Sequence, residues 1–170
     1  MIVPLQFEHI LQLDEAFQKQ GWPSRKEILT NYLREQEKGE RIVLVAEETG
    51  VCKGYITLIK QVKEGPFYQS GIPEIADFNV FEDFQNQGIG WQLLDAICQL
   101  ASEFTDIVGI GVGLNANYGK AQRLYVKHGF IPDGSGVWYR GRSLPVGAKA
   151  YNDDELALYF TKKNYRGKVK

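Results

Sequence analysis

The stretch Gln85-Asn86-Gln87-Gly88-Ile89-Gly90 stands directly before an apolar run with helical spacing. A helix N-terminus carries N–H groups without partners inside the helix, and a partial positive charge. A phosphate oxygen can settle there when no side chain blocks its approach. Gly88 and Gly90 remove two Cβ atoms where the chain turns in, and Gln85 and Gln87 could add neutral donors. With the main chain as far as Trp91, the stretch has the chemistry of a phosphate or diphosphate cradle. A plain turn is the competing reading of a glycine pair. No G-x-x-x-x-G-K-[ST] occurs, which excludes a P-loop. A dinucleotide fingerprint needs a third glycine after the first strand and an acidic residue about 20 positions on. Here the third glycine is missing and the turn lies in mid-chain.

The other residue types narrow the chemistry further. Cys52 and Cys98 are not in a metal-spaced pair, and His9 and His128 add no cluster, so neither a zinc site nor a disulfide framework is expected. Cys98 falls in the apolar run and reads as a small core residue. The net charge of -1 supplies no global basic field, which argues against nucleic acid and acidic lipid as partners. Lys162, Lys163, Arg166, Lys168 and Lys170 read as a solvated terminal tail. The N-terminus shows neither a signal-peptide pattern nor a membrane-length apolar run, so a reducing cytoplasm is the expected location.

These residues need elements to hold them. A length of 170 residues suits one domain, 1–170. Residues 2–5 suggest a short strand and residues 8–19 a helix with Ile10, Leu11, Leu13 and Phe17 inside. Ser24 followed by Glu27 matches a capping box and predicts a second helix to about residue 38. Residues 41–47 and 51–62 predict a hairpin closed by Glu48-Thr49-Gly50. Residues 74–80 predict a third strand, and 90–104 a helix with Leu93, Ile97, Leu100 or Ala101, and Phe104 on its buried stripe. A glycine-rich strand follows at 106–114, then a helix at 118–128 capped by Gly129. Further strands are expected from Phe130 and at 156–160. The order predicts one mixed α/β domain.

From Glu74 to Phe130 the chain resembles the GNAT superfamily of acyl-CoA N-acyltransferases. Gln85, Gly88 and Gly90 match the family's [QR]-x-x-G-x-[GA] loop between a strand and a long helix. Ala121-Gln122-Arg123-Leu124-Tyr125-Val126-Lys127-His128-Gly129-Phe130 matches A-x-x-L-Y-x-K-x-G-F completely. One position departs: many members carry asparagine three residues before that alanine, where this chain has Tyr118 between Asn117 and Gly119.

The resemblance implies a GNAT-like fold, with a mixed central sheet splayed between two parallel strands and flanked by helices. It implies acetyl-CoA as cosubstrate and no metal. The diphosphate would rest on Gln85, Asn86, Gln87, Gly88, Ile89, Gly90 and Trp91. Asn117, Tyr118 or Gly119 would take the place of the family asparagine. A bulge near Phe78 and Asn79 would let Phe78 and Val80 pair with the pantetheine arm, and the Val80 N–H would polarise the thioester carbonyl. Glu74 falls where some members keep a general base, and Asp77 is the second candidate. Tyr125 matches the tyrosine many members use to protonate the leaving thiolate. Lys120, Arg123 or Lys127 could meet a 3′-phosphate, or simply be solvated.

The activity implied is acetyl transfer to a primary amine, on a small molecule or a peptide N-terminus, by direct attack in a ternary complex. A non-catalytic acyl-CoA sensor of the same fold is the alternative. Phe17, Trp22 and Tyr32 on one side and Tyr68, Trp138 and Tyr139 on the other are candidate acceptor walls, with core packing the competing reading for Phe17 and Tyr32. Some relatives pair through late strands, which leaves a homodimer open.

Overall fold

The computed structural model describes residues 1–164. They form eight strands and four helices: β1 (Ile2–Pro4), α1 (Phe7–Lys19), α2 (Lys26–Glu37), β2 (Arg41–Glu48), β3 (Val51–Ile59), β4 (Glu74–Val80), α3 (Ile89–Ser102), β5 (Ile107–Gly113), α4 (Gly119–Lys127), β6 (Ile131–Tyr139), β7 (Arg142–Ser143) and β8 (Leu156–Lys163). The strands make a mixed α/β sheet in the order β1-β2-β3-β4-β5-β8-β6-β7. The chain divides into two compact units. One comprises Met1–Ile59 and Ala76–Ile97; the other comprises Lys60–Ile75 and the chain from Cys98 onward.

In the first unit, β1, β2 and β3 pair antiparallel, with Val45 opposite Tyr55 in the hairpin. Its core joins Leu5, Ile10, Leu13, Phe17, Leu29, Val43, Val45, Cys52, Tyr55 and Phe81. Ile10, Leu13 and Phe17 recur at three and four residues, so α1 presents one apolar stripe to this core. Phe17 packs edge-on against Tyr55 and Phe81, with ring centroids 6.1 and 5.1 Å away. The competing core reading therefore holds for Phe17.

The start of α2 differs from the capping-box expectation. The Ser24 hydroxyl donates to Asp14 Oδ1 at 2.8 Å, and the Arg25 N–H donates to the same oxygen at 2.6 Å. The helix begins at Lys26 with Arg25 as its N-cap and no side-chain cap bond. A buried carboxylate on α1 thus takes both the Ser24 hydroxyl and the Arg25 N–H, and Ser24 Oγ accepts only from the Lys26 N–H, at 3.4 Å. Burial alone would raise the Asp14 pKa, but the bonds from Ser24, Arg25 and Gln18 outweigh it and hold the carboxyl below its ordinary value.

In the second unit, Glu74 and Ile75 of β4 pair parallel with Gly109 and Ile110 of β5. β5 then pairs antiparallel with β8, and β8 with β6. Glycines alternate along β5 at 109, 111 and 113, and successive side chains of a strand point to opposite faces. One face is therefore bare, and three aromatic rings fill it. A Cβ on Gly109 would run into Phe67, one on Gly113 into Tyr118, and one on Gly111 would lie 2.8 Å from Tyr159 Cε1. Phe67 and Tyr159 meet edge-on at 5.6 Å, and Trp138 meets Tyr159 at 5.9 Å.

Two terminal expectations are corrected. β8 extends to Lys163, so Lys162 and Lys163 belong to a strand and not to a tail; Lys162 Nζ lies 3.0 Å from His128 Nδ1. Arg166, Lys168 and Lys170 lie outside the described residues. The α3 stripe is Leu93, Leu94, Ile97, Cys98 and Ala101, whereas Phe104 lies past the helix end and is exposed, with Lys60 Nζ 5.5 Å from its ring centroid. Among the described residues no helix is long and apolar enough to cross a membrane, and no cluster of three or more His, Cys, Asp or Glu side chains could hold a metal ion.

Candidate active site

The glycine turn is built to open a helix. Phe81 is buried beside Phe17, and its N–H donates to the Lys53 carbonyl at 3.0 Å, which fixes the exit of β4. One 3-10 turn follows at Glu82–Phe84. Asn86 and Gly88 then take left-handed backbones, with φ of 61° and 80°, while Gln87 between them does not. Left-handed residues alternating with right-handed ones are a backbone pattern from which anion nests are built. α3 begins immediately at Ile89. A Cβ on Gly88 would meet only Gln92 Nε2, at 4.0 Å, so its left-handed backbone and not crowding calls for glycine.

The glutamine side chains build the loop. Gln85 Nε2 donates to the Val80 carbonyl at 3.1 Å, and Gln87 Nε2 donates to the Asp83 carbonyl at 3.1 Å. The candidate cradle is therefore a main-chain loop braced by its own side chains. Gly54 of β3 allows a second close approach, because a Cβ there would lie 2.9 Å from Val80 Cα.

β4 is kinked, and the kink is at Asp77, one residue before the position expected from sequence. Its φ is 46° in the middle of a strand. The Asp77 carboxylate accepts from Arg25, from the Tyr32 hydroxyl at 2.8 Å, from the Tyr55 hydroxyl at 2.7 Å and from Asn79 Nδ2 at 2.8 Å. Phe78 and Val80, the expected partners of a pantetheine arm, follow that kink and are half-buried.

The second unit holds both sequence candidates for proton transfer, Glu74 and Tyr125. Glu74 is not a solvated strand start: burial, reinforced by the Glu64 carboxylate, pushes its pKa up to about 7. Tyr125 on α4 is buried, with its ring 6.2 Å from that of Phe130. Burial and the neighbouring Tyr118 push its phenol up, so it stays protonated at neutral pH. Tyr118, at the departing family position, packs its ring on Gly113 and caps α4. Asn117 is exposed, and its N–H donates to Asn115 Oδ1 at 3.0 Å. Gly119 opens α4 with nothing within 4 Å of a Cβ built on it. Lys120, Arg123 and Lys127 are exposed.

The aromatic acceptor candidates separate. Trp22 and Tyr68 are exposed. Tyr32 is held by Asp77, with the Arg41 guanidinium 4.2 Å from its ring centroid. Trp138 Nε1 donates to Ser135 at 2.8 Å, and the Tyr139 hydroxyl to Asp153 at 3.1 Å. The Asp77 cluster was not visible in the sequence; an aspartate inside a β-rich run was its only local signal.

The model of the Acetyltransferase (GNAT) family matches residues 7–130. The chain belongs to that family. No curated protein matches the sequence. Among solved structures, the fold is similar to an N-acetyltransferase from Staphylococcus aureus Mu50 (18% identity, TM-score 0.69), covering 96% of this chain and 97% of that one. It is also similar to a ribosomal-protein-alanine N-acetyltransferase from Brucella melitensis (16%, 0.71, covering 96% and 99%). A third is an aminoglycoside 6′-N-acetyltransferase complexed with coenzyme A (15%, 0.66, covering 96% of each chain). At these identities the likeness is one of fold. The GNAT family uses acetyl-CoA.

Proposed function

We propose that this GNAT protein is an acetyl-CoA-dependent N-acetyltransferase acting on a primary amine of a small molecule or peptide N-terminus. The observation that carries the reading is Glu74, a half-buried carboxyl at the start of β4 whose pKa is raised to about 7. A general base works best when its pKa is near the working pH. The chain also fits the cosubstrate, since the left-handed turn at Asn86 and Gly88 opens directly into α3.

Acetyl-CoA supplies an electrophilic thioester carbon and a thiolate leaving group. The main chain from Gln85 to Trp91 binds its diphosphate, with donors typical of helix-terminal anion sites. The backbone of Phe78 and Val80 serves the pantetheine arm, and the Val80 N–H donates to the carbonyl oxygen as negative charge develops there. Glu74 takes a proton from the acceptor ammonium, whose ordinary pKa is about 10, and leaves a neutral amine to form the C–N bond. Tyr125 donates its phenolic proton to sulfur as the C–S bond breaks, and the proton that the attacking nitrogen must still lose restores the phenol, so amide and thiol both leave neutral.

The test is thiol release from acetyl-CoA across an amine panel. Wild type should release CoA with at least one amine, and Tyr125→Phe should lower kcat about 100-fold with acetyl-CoA binding retained. Tight acetyl-CoA binding with no amine-stimulated release would instead make the protein a sensor of acyl-CoA.

A further inference from the structure

The kink of β4 and the carboxylate gripped by four side chains belong to the same residue. A non-glycine residue at φ 46° in a strand is strained and persists only when its surroundings hold it. Asp77 has such surroundings. Oδ2 accepts from Arg25, just before α2, from Tyr32 on α2 and from Tyr55 on β3, while Oδ1 accepts from Asn79 two residues on. Burial and the Asp77 carboxylate push both phenols above their ordinary pKa, so both remain donors. The main chain beside the kink is also held by a side chain, since Thr57 Oγ1 donates to the Ala76 carbonyl at 2.7 Å. Arg41 Nη1 in turn donates to Thr57 at 2.8 Å. Arg25 is fixed from behind by its N–H bond to Asp14.

We propose that Asp77 is a positioning residue: by gathering Arg25, Tyr32, Tyr55 and Asn79, its carboxylate holds its own backbone in the left-handed conformation that aims the peptide groups of residues 78–80 at the acyl donor. Its last step rests on the reading of the chain as an acetyltransferase; the holding of the kink does not. A base needs an open lone pair, and this carboxylate already accepts four bonds.

The experiment has one arm without cosubstrate. Amide hydrogen exchange of residues 78–80 is measured in the free protein for wild type, Asp77→Ala, Asp77→Gly and Asp77→Asn. Loss of a charge-assisted network should speed exchange about tenfold or more in the Ala and Gly variants. Asn should fall between them and wild type, because it keeps an acceptor oxygen and tolerates a left-handed backbone. Wild-type exchange in Asp77→Gly would show that φ alone suffices and would overturn the proposal. Should Asp77→Ala fail to fold, Tyr32→Phe removes a single donor, and unchanged exchange in it and in Asp77→Asn alike overturns the proposal equally.

The second arm is kinetic. Asp77→Ala should lower kcat/KM for acetyl-CoA roughly 100-fold, as misplacement of reacting groups does. The midpoint of the acid limb of its pH profile should stay at the wild-type value. Disappearance of that limb would make Asp77 the base and overturn the positioning role. If wild type turns over no acetyl-CoA at all, the acetyltransferase reading fails, and the exchange arm still decides the kink.

Discussion

Glu74 and Asp77 stand three residues apart on one strand and face opposite circumstances. Burial and the Glu64 carboxylate disfavour the ionised form of Glu74. Arg25, Tyr32, Tyr55 and Asn79 all donate to Asp77. The residues alone present both as acids in a β-rich run and only the family resemblance puts Glu74 first, because most of the groups that distinguish them lie far away along the chain. The ranking yields a kinetic expectation. The proposed base must be ionised to act, so kcat/KM should rise with pH through an acid limb near 7 in wild type. Glu64→Gln removes the second cause of the raised pKa and should move that limb to lower pH. Glu74→Gln should remove it. A limb that stays in place in Glu64→Gln would leave burial as the sole cause.

The elements that carry the motifs were the most legible. β4 has the bounds read from sequence, and α3 and α4 begin within one residue of theirs, because apolar spacing and glycine punctuation act locally. Distant contacts decided the exceptions. Ser24 gives its hydroxyl to Asp14, and β8 continues through Lys162 and Lys163 because β5 pairs along its length. The alternating glycines of β5 were visible, but their use was not, since the rings above them come from Phe67, Tyr159 and Tyr118. That use has a measurable consequence. In Gly109→Ala the new methyl meets the Phe67 ring, and overpacking of this kind costs about 1–3 kcal/mol. Gly119→Ala, with nothing within 4 Å of its Cβ, should change stability by less than about 0.5 kcal/mol. Denaturant midpoints of the two variants compare them directly. Equal midpoints would mean that Phe67 moves aside freely and that the glycine face of β5 does not need to be bare.

For the molecule as a whole, two acids make stability depend on pH with opposite signs. The Asp14 carboxyl is held below its ordinary value of 3.8, so its contribution is present above that pH and is lost as the pH falls below it. Glu74 works the other way. Its folded pKa of about 7 lies above the ordinary 4.5, so between those values the folded chain holds a proton that the unfolded chain releases. Stability therefore declines as pH rises across that window, by at most about 3 kcal/mol for a displacement of this size. The proposed base is thus also a source of instability near neutrality. Chemical denaturation of wild type at about pH 5 and about pH 7.5 should show the decline. Glu74→Gln, which cannot ionise, should show a smaller one. The two proteins differ only at residue 74, so the difference between the two slopes isolates Glu74. Parallel slopes would mean that Glu74 is ionised in the folded protein well below pH 7, and its assignment as a neutral-pH base would fall with them.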